Sequence, residues 1–444
     1  MEKLSTPSAF RYYYSLINDW ASRLRIYRHT DYGLLLISML LGIGVGLSIV
    51  VFQLAMHAAE HLFEAVFVFS DTYLHIGRFF FPVITAFGGL CVGILSTRVF
   101  FKAHGEGLHT LVEAIRHEDG KLHWISAFKA VINAALSIGS GGGGGKEGPI
   151  ILLGSSIGSS LGQLANLRPQ VLRTLCASGA AAAISGIFNA PLAGLVFALE
   201  GIYGEFALGS FISVVVASVL STAVARVFLG NAPVINFPVG IAITLTDYIY
   251  IGIGGLSCGL LSLYYLKCYN SVHSKFSQLV KRISPIYRPM IGGLLAGILA
   301  SALPTMLETS YSPINLVIAG KYTVIIVVAT FLLKPLSNAF TLSSGGSGGT
   351  FAPVLKAGAM WGFFFGTFSQ YVTPSLSPAL YAVMGAGAVL AGTWRIPLTG
   401  AILICEATHN YEILLPMLFA CILSVFMVER FTSIQSFNPL ESKD

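Results

Sequence analysis

The sequence predicts an all-α, polytopic membrane protein built from two inverted-topology half-repeats whose helices are broken near the membrane midplane. Three observations carry that reading: an apolar composition, a series of long uncharged runs, and one arrangement of glycine clusters, prolines and glutamates that occurs twice.

Hydrophobic residues make up 55% of the 444 residues, and Asp, Glu, Lys and Arg together only 10%, against roughly 25% charged residues in soluble globular domains. Crossing a ~30 Å hydrocarbon core takes about 20 apolar residues in a helix. Uncharged runs of that order extend from Gly33 to Met56, Phe79 to Thr97, Gly148 to Leu167, Thr174 to Leu199, Phe206 to Ala225, Tyr248 to Leu266, Pro289 to Leu307 and Ala357 to Trp394. The first run follows thirty mostly polar residues and exceeds the core of a cleavable signal, so a signal peptide is not expected. A net charge of +6 without a basic stripe disfavours a nucleic-acid partner. Lys3, Arg11, Arg23, Arg25 and Arg28 favour a cytoplasmic N-terminus, while Lys275, Lys281, Arg282 and Arg288 also favour the inside, so charge sets orientation weakly. Six cysteines, Cys91, Cys176, Cys258, Cys268, Cys405 and Cys421, lack metal-ligand spacing and read as buried structural thiols.

The repeat is the most informative feature. GGGGGKEGP, Gly141 to Pro149, is followed by Pro191 of FNAPLAG and then by Glu200; GGSGGTFAP, Gly345 to Pro353, is followed by Pro397 of WRIPLTG and then by Glu406. Glycine costs about 1 kcal/mol relative to alanine inside a helix, so these clusters interrupt helices. Non-helical backbone survives in a membrane only where protein or a water-filled cavity satisfies it. Broken helices at matching positions of two halves point to a midplane site, where half-helix N-termini, with free N–H groups and a partial positive charge, suit an anion. Tight packing through small residues is the competing explanation for one such span; a second span with proline at the same place favours the anion site. The halves are expected at 33–281 and 288–430, with a cytoplasmic segment 1–32 and a short tail 431–444.

GGGGGKEG does not make a nucleotide-binding P-loop. That pattern needs glycine where Ser140 stands and Ser or Thr where Glu147 stands. Ser347 and His409 are too weak a pair to suggest a protease, and no enzyme, metal or cofactor is expected.

Gly145, Lys146, Glu147, Gly148 and Pro149 resemble the GREGP signature of the CLC family of chloride channels and chloride/proton antiporters. Gly348 to Pro353, GGTFAP, resembles that family's GGxFAP, and FNAPLAG and PLTG also resemble family elements. The resemblance implies an anion pathway with Glu147 as its gate, a carboxylate that occupies an anion position and swings aside when protonated or displaced. Independently, a carboxylate within a span costs a few kcal/mol when ionised, so it is usually functional or paired; an ion pair with Lys146 is the plainer alternative. By resemblance Lys146, Gly148, Thr350 and Phe351 belong to the anion site, and Gly145, Pro149, Gly349, Pro353 and Lys356 line the pathway. For Lys356 a salt bridge to Glu200 or Glu406 is an equal expectation. Lys129 and Arg395 could add to a local positive potential.

The sequence departs from the family at three places. Gly105 to His109 resembles the first signature, usually GSGIP, and puts Glu106 where a serine hydroxyl meets the ion. An ionised carboxylate there repels chloride unless it is protonated or turned away, and an exposed loop acid is the alternative. The central tyrosine is replaced: counting from Leu415, Pro416 and Met417 places Phe437 there, whereas the TSIQS segment places Gln435. The inner proton-transfer glutamate of the antiporters falls on Gly201. These departures suggest channel-like or loosely coupled chloride transport, with a chloride/proton antiporter or a fluoride-selective relative as alternatives. The retained proline of GKEGP favours chloride. The resemblance further implies a homodimer in the cell membrane, with small anions and lipid as its partners and no nucleotide.

Overall fold

The computed structural model describes residues 31–74, 77–100, 108–204, 208–238, 243–245, 247–307, 311–371, 377–431 and 436–437; Glu106 and Gln435 lie outside them. The described residues form helices and no named strand. In chain order these are α1 (Asp31–Leu74), α2 (Phe81–Ile94), α3 (Leu108–His117), α4 (Trp124–Gly139), α5 (Glu147–Leu164), α6 (Pro169–Phe188), α7 (Pro191–Phe197), α8 (Leu208–Leu229), α9 (Asp247–Val280), α10 (Arg288–Ala302), α11 (Ser312–Ile318), α12 (Val324–Ser343), α13 (Phe351–Ser369), α14 (Pro378–Trp394), α15 (Pro397–Ala407) and α16 (Leu414–Phe431). Among them seven are long and apolar enough to cross a membrane, which makes the chain a multi-pass membrane protein.

Three of the expected spans are shorter pieces. The run Thr174 to Leu199 breaks at Asn189, whose φ of 56° ends α6, and restarts at Pro191, which sits at the first turn of α7. A proline has no N–H to lose there. Its counterpart Arg395, φ 53°, ends α14 before Pro397 opens α15. The run Ala357 to Trp394 divides between α13 and α14, and Pro289 to Leu307 ends as a 3-10 turn, Pro304–Met306. The cysteines divide as well: Cys176, Cys258, Cys405 and Cys421 are buried, whereas Cys91 and Cys268 are only partly so.

Small residues bring the helices together twice in the same way. A Cβ placed on Gly154 would lie 2.3 Å from the Gly179 carbonyl oxygen, and one on Gly358 would lie 2.3 Å from that of Gly385. Thus α5 meets α6, and α13 meets α14, backbone against backbone, the close approach that gains van der Waals contact where lipid offers no hydrophobic drive.

The halves are also tied by exchanged carboxylates. Glu200, beyond α7, accepts from the N–H groups of Leu398 and Thr399 at 3.0 and 2.8 Å and from the Thr399 hydroxyl at 2.7 Å. Glu406, at the end of α15, accepts from Leu192 and Ala193 at 3.2 and 2.8 Å. Each glutamate caps the short helix of the other half, where helix N–H groups have no partner of their own. The Tyr411 hydroxyl donates to Glu406 as well, at 3.2 Å; burial first and the adjacent carboxylate second push this loop phenol up to about 12, so it stays a donor.

The exchange sets an expectation for stability. Glu406→Ala strips three hydrogen bonds to a carboxylate, each worth about 1.5–3 kcal/mol, and should destabilise the detergent-solubilised protein by about 4 kcal/mol or more in denaturant unfolding. Glu406→Gln keeps one acceptor oxygen and should lose about half as much. An alanine variant as stable as its parent would contradict the capping role.

Candidate functional site

The two glycine clusters cross at the centre of the molecule. Gly145 and Gly349 exchange both backbone hydrogen bonds, each 2.7 Å, in an isolated antiparallel bridge. Asn338 secures the crossing through its side-chain amide, which donates to the Gly143 carbonyl at 3.0 Å and the Gly349 carbonyl at 3.2 Å. A Cβ on Gly348, whose φ is +151°, would sit 2.7 Å from the Cα of Gly144. Any side chain at this contact would force the clusters apart.

From the crossing, α5 and α13 start with Glu147 and Phe351 at matching positions. Glu147 is fully buried. Its carboxylate reaches across to the other half: Oε2 accepts from the N–H of Ala352, in the first turn of α13, at 3.2 Å. Oε1 accepts from the hydroxyl of Tyr311, which precedes α11. A carboxylate on a helix N-terminus is held by a free N–H and by the positive end of the helix dipole, the terms that hold any small anion there. The Glu147 carboxylate therefore sits in a seat whose donors are of the kind that suit any small anion.

The other expected site residues gather around this seat. Gly148, Pro149, Thr350, Phe351 and Pro353 are all buried, and Gly148 faces the Gly348–Gly349 backbone. Lys146, only 8% exposed, carries its ammonium 5.0 Å above the Tyr311 ring. Lys146 and Tyr311 line a cavity of about 880 Å³ together with His57, Asn236, Asn315 and Lys321. Three basic side chains lining one mouth favour anions by their field.

Behind the seat lies an aromatic wall. The Phe351 ring is 5.7 Å from Phe188, 6.4 Å from Phe197 and 5.7 Å from Trp394, and Phe188 is 5.6 Å from Tyr311. Phe437 continues it, 6.3 Å from Trp394 and 4.9 Å from Tyr269. Gly201 is buried behind Phe197, where a Cβ would come within 3.1 Å of that ring.

Lys356 is placed otherwise than either Glu200 or Glu406 suggested. Its ammonium donates to the Leu307 carbonyl at 2.6 Å, and fully buried Lys334 donates to the Met306 carbonyl at 2.6 Å. Both glutamates already serve helix N-termini. Lys129 and Arg395 are half-buried, Arg395 as the residue that ends α14. Two contacts of the seat escaped the sequence reading. Ala352 acts through its backbone, which no side-chain pattern reports. Tyr311 belongs to a polar stretch between spans and reaches Glu147 only through the fold, although its phenol beside a predicted anion site was a usable signal.

Comparison with known proteins agrees with this architecture. The family model described as voltage gated chloride channel matches residues 88–429. The chain is 30% identical over 342 residues to a putative chloride channel protein, ClcB-like, of Ralstonia nicotianae, covering 76% of this chain and 79% of that one. It is 30% identical over 429 residues to the H(+)/Cl(-) exchange transporter ClcA of Citrobacter koseri, covering 91% of this chain and 87% of that one. Among solved structures, a slow cyanobacterial Cl-/H+ antiporter superimposes with a TM-score of 0.82 at 22% identity, over 92% of this chain and 96% of that one. A CLC-type fluoride/proton antiporter superimposes with a TM-score of 0.75 at 20% identity, over 90% and 97%. A family model matched along most of the chain, and relatives 30% identical over most of their length, establish that the chain belongs to the CLC family of voltage gated chloride channels.

Proposed function

We propose that the protein exchanges chloride for protons across the cell membrane, with Glu147 both as the gate of the anion pathway and as the carrier of the proton. The observation that carries this reading is the Glu147 carboxylate on the N-terminus of α13. One seat then serves two occupants in turn. Two unit charges about 4 Å apart repel by roughly 4 kcal/mol at an effective dielectric of 20, so chloride enters the seat when the carboxylate leaves it. Protonation removes the charge that binds Glu147 to the helix dipole, and the neutral side chain yields to the anion. Deprotonation reverses the exchange.

Each part of the surrounding structure has a place in this cycle. Lys146, Lys321 and His57 concentrate chloride in the cavity above the seat. Amides near Gly148, Thr350, Phe351 and Ala352 receive the ion, and Gly145, Pro149, Gly349 and Pro353 form the narrow passage beside it. Lys356 contributes through its charge while bound to Leu307. The two halves, 33–281 and 288–430, each contribute one broken helix, and two such subunits form a homodimer. What supports exchange over channel-like conduction is that the Citrobacter koseri relative, matched along nearly its whole length, is an exchange transporter by name. Position 201, a glycine here, lends no carboxyl to the inner proton route. Glu200 is held by Leu398 and Thr399, so the inner leg runs without either.

In vesicles carrying the purified protein, chloride and proton movement measured together should be coupled. Glu147→Gln cannot titrate, so chloride flux should persist with little dependence on pH while proton flux falls to the level of empty vesicles. Coupled proton flux surviving in that variant would contradict Glu147 as the carrier. Tyr311→Phe keeps the ring and removes one hydrogen bond to a charged group, worth about 1.5–3 kcal/mol. The seated carboxylate should become about tenfold or more easier to displace, read as higher chloride flux at neutral pH. An unchanged rate would remove Tyr311 from the gate.

A further inference from the structure

The residue at the end of α14 offers a group that no other described residue uses. Trp394 is 5% exposed, and its indole N–H has no hydrogen-bond partner among the described residues. Buried tryptophan N–H groups usually find one. The ring is held firmly. It lies 5.7 Å from the ring of Phe351, the first residue of α13, and 6.3 Å from that of Phe437. The Phe437 N–H donates to the Thr393 carbonyl at 3.0 Å, which ties the C-terminal segment to the same turn. Trp394 thus stands between the helix that seats the Glu147 carboxylate and Phe437, one of the two positions where the resemblance expects a phenol.

We propose that the Trp394 indole N–H is an anion-coordinating donor beside the Glu147 seat, supplying a side-chain hydrogen bond that the Phe437 ring cannot make. The inference rests on the anion-transport reading above. An indole nitrogen only donates, so the group favours an anion and offers nothing to a cation. A donor fixed by packing loses little freedom on binding, which favours affinity. The aromatic surfaces of Phe351 and Phe437 around it suit a halide that has shed part of its water, and a strongly hydrated anion gains less there.

The test is calorimetric titration of chloride into chloride-free purified protein, with chloride flux in vesicles as a second readout. Trp394→Phe keeps an aromatic ring and deletes the donor; it should weaken chloride binding about tenfold or more, the scale of one hydrogen bond to a charged ligand. Parent and variant with equal affinity would overturn the role of Trp394 and leave the transport reading standing. A parent that neither binds nor passes chloride would overturn both. Should the variant fail to fold, the parent labelled with 15N at its indoles answers the same question. Of its four tryptophans, the Trp394 N–H resonance, identified by single Phe substitutions of Trp20, Trp124 and Trp361, should move when gluconate is replaced by chloride. A resonance that stays in place overturns the proposal.

Discussion

A helix that begins inside a membrane exposes amide N–H groups where no bulk water can satisfy them, and much of this fold answers that constraint. Three glutamates do so. Glu200 serves α15, Glu406 serves α7, and Glu147 serves α13. In each case the carboxylate comes from the opposite half of the chain. The interruption that makes a helix end available for binding therefore also joins the two repeats. The glycine crossing is what allows it, since Gly145 and Gly349 bring the starts of α5 and α13 within hydrogen-bonding distance of each other.

The three carboxylates are held by different sets of donors. Glu200 and Glu406 each accept from two successive amides, a clamp that leaves little reason to move. Glu147 accepts from the Ala352 amide and from the hydroxyl of Tyr311, which lines a basic cavity. In the proposed exchange, an anion arriving through that cavity offers Ala352 and Tyr311 an equivalent acceptor. The aromatic wall behind the seat supplies no acceptor of its own from its phenylalanine rings. Selection for an anion then comes from backbone dipoles and a few fixed donors, with no need for a fixed cation against the ion.

Much of this was legible in the sequence because it is written in residues with few conformational alternatives. Glycine clusters followed by proline mark a helix restart, and their recurrence revealed the layout. Glu147 stood out as a carboxylate in an apolar stretch. The repeat also exposed Glu200 and Glu406, but not their exchange between halves, because sequence spacing does not report which helix end faces which carboxylate. The break at Asn189 was hidden inside an apolar run, since a left-handed turn needs no change in polarity. Lys356 reads in sequence as a pathway-lining cation or a partner of Glu200 or Glu406, and in the structure it donates to the Leu307 carbonyl, a contact set by tertiary distance alone. Trp394 looked like one more apolar residue; only the missing partner of its N–H distinguishes it.

The central claim is that the Glu147 carboxylate occupies an anion's place on α13. Anomalous diffraction from crystals grown in bromide tests it most directly, comparing the parent with Glu147→Gln under identical conditions. The account predicts an anomalous peak at the Ala352 N–H in the variant, where the neutral amide no longer holds the seat, and a weak or absent peak there in the parent. Equal bromide occupancy at that N–H in both proteins, or none in the variant, would contradict it.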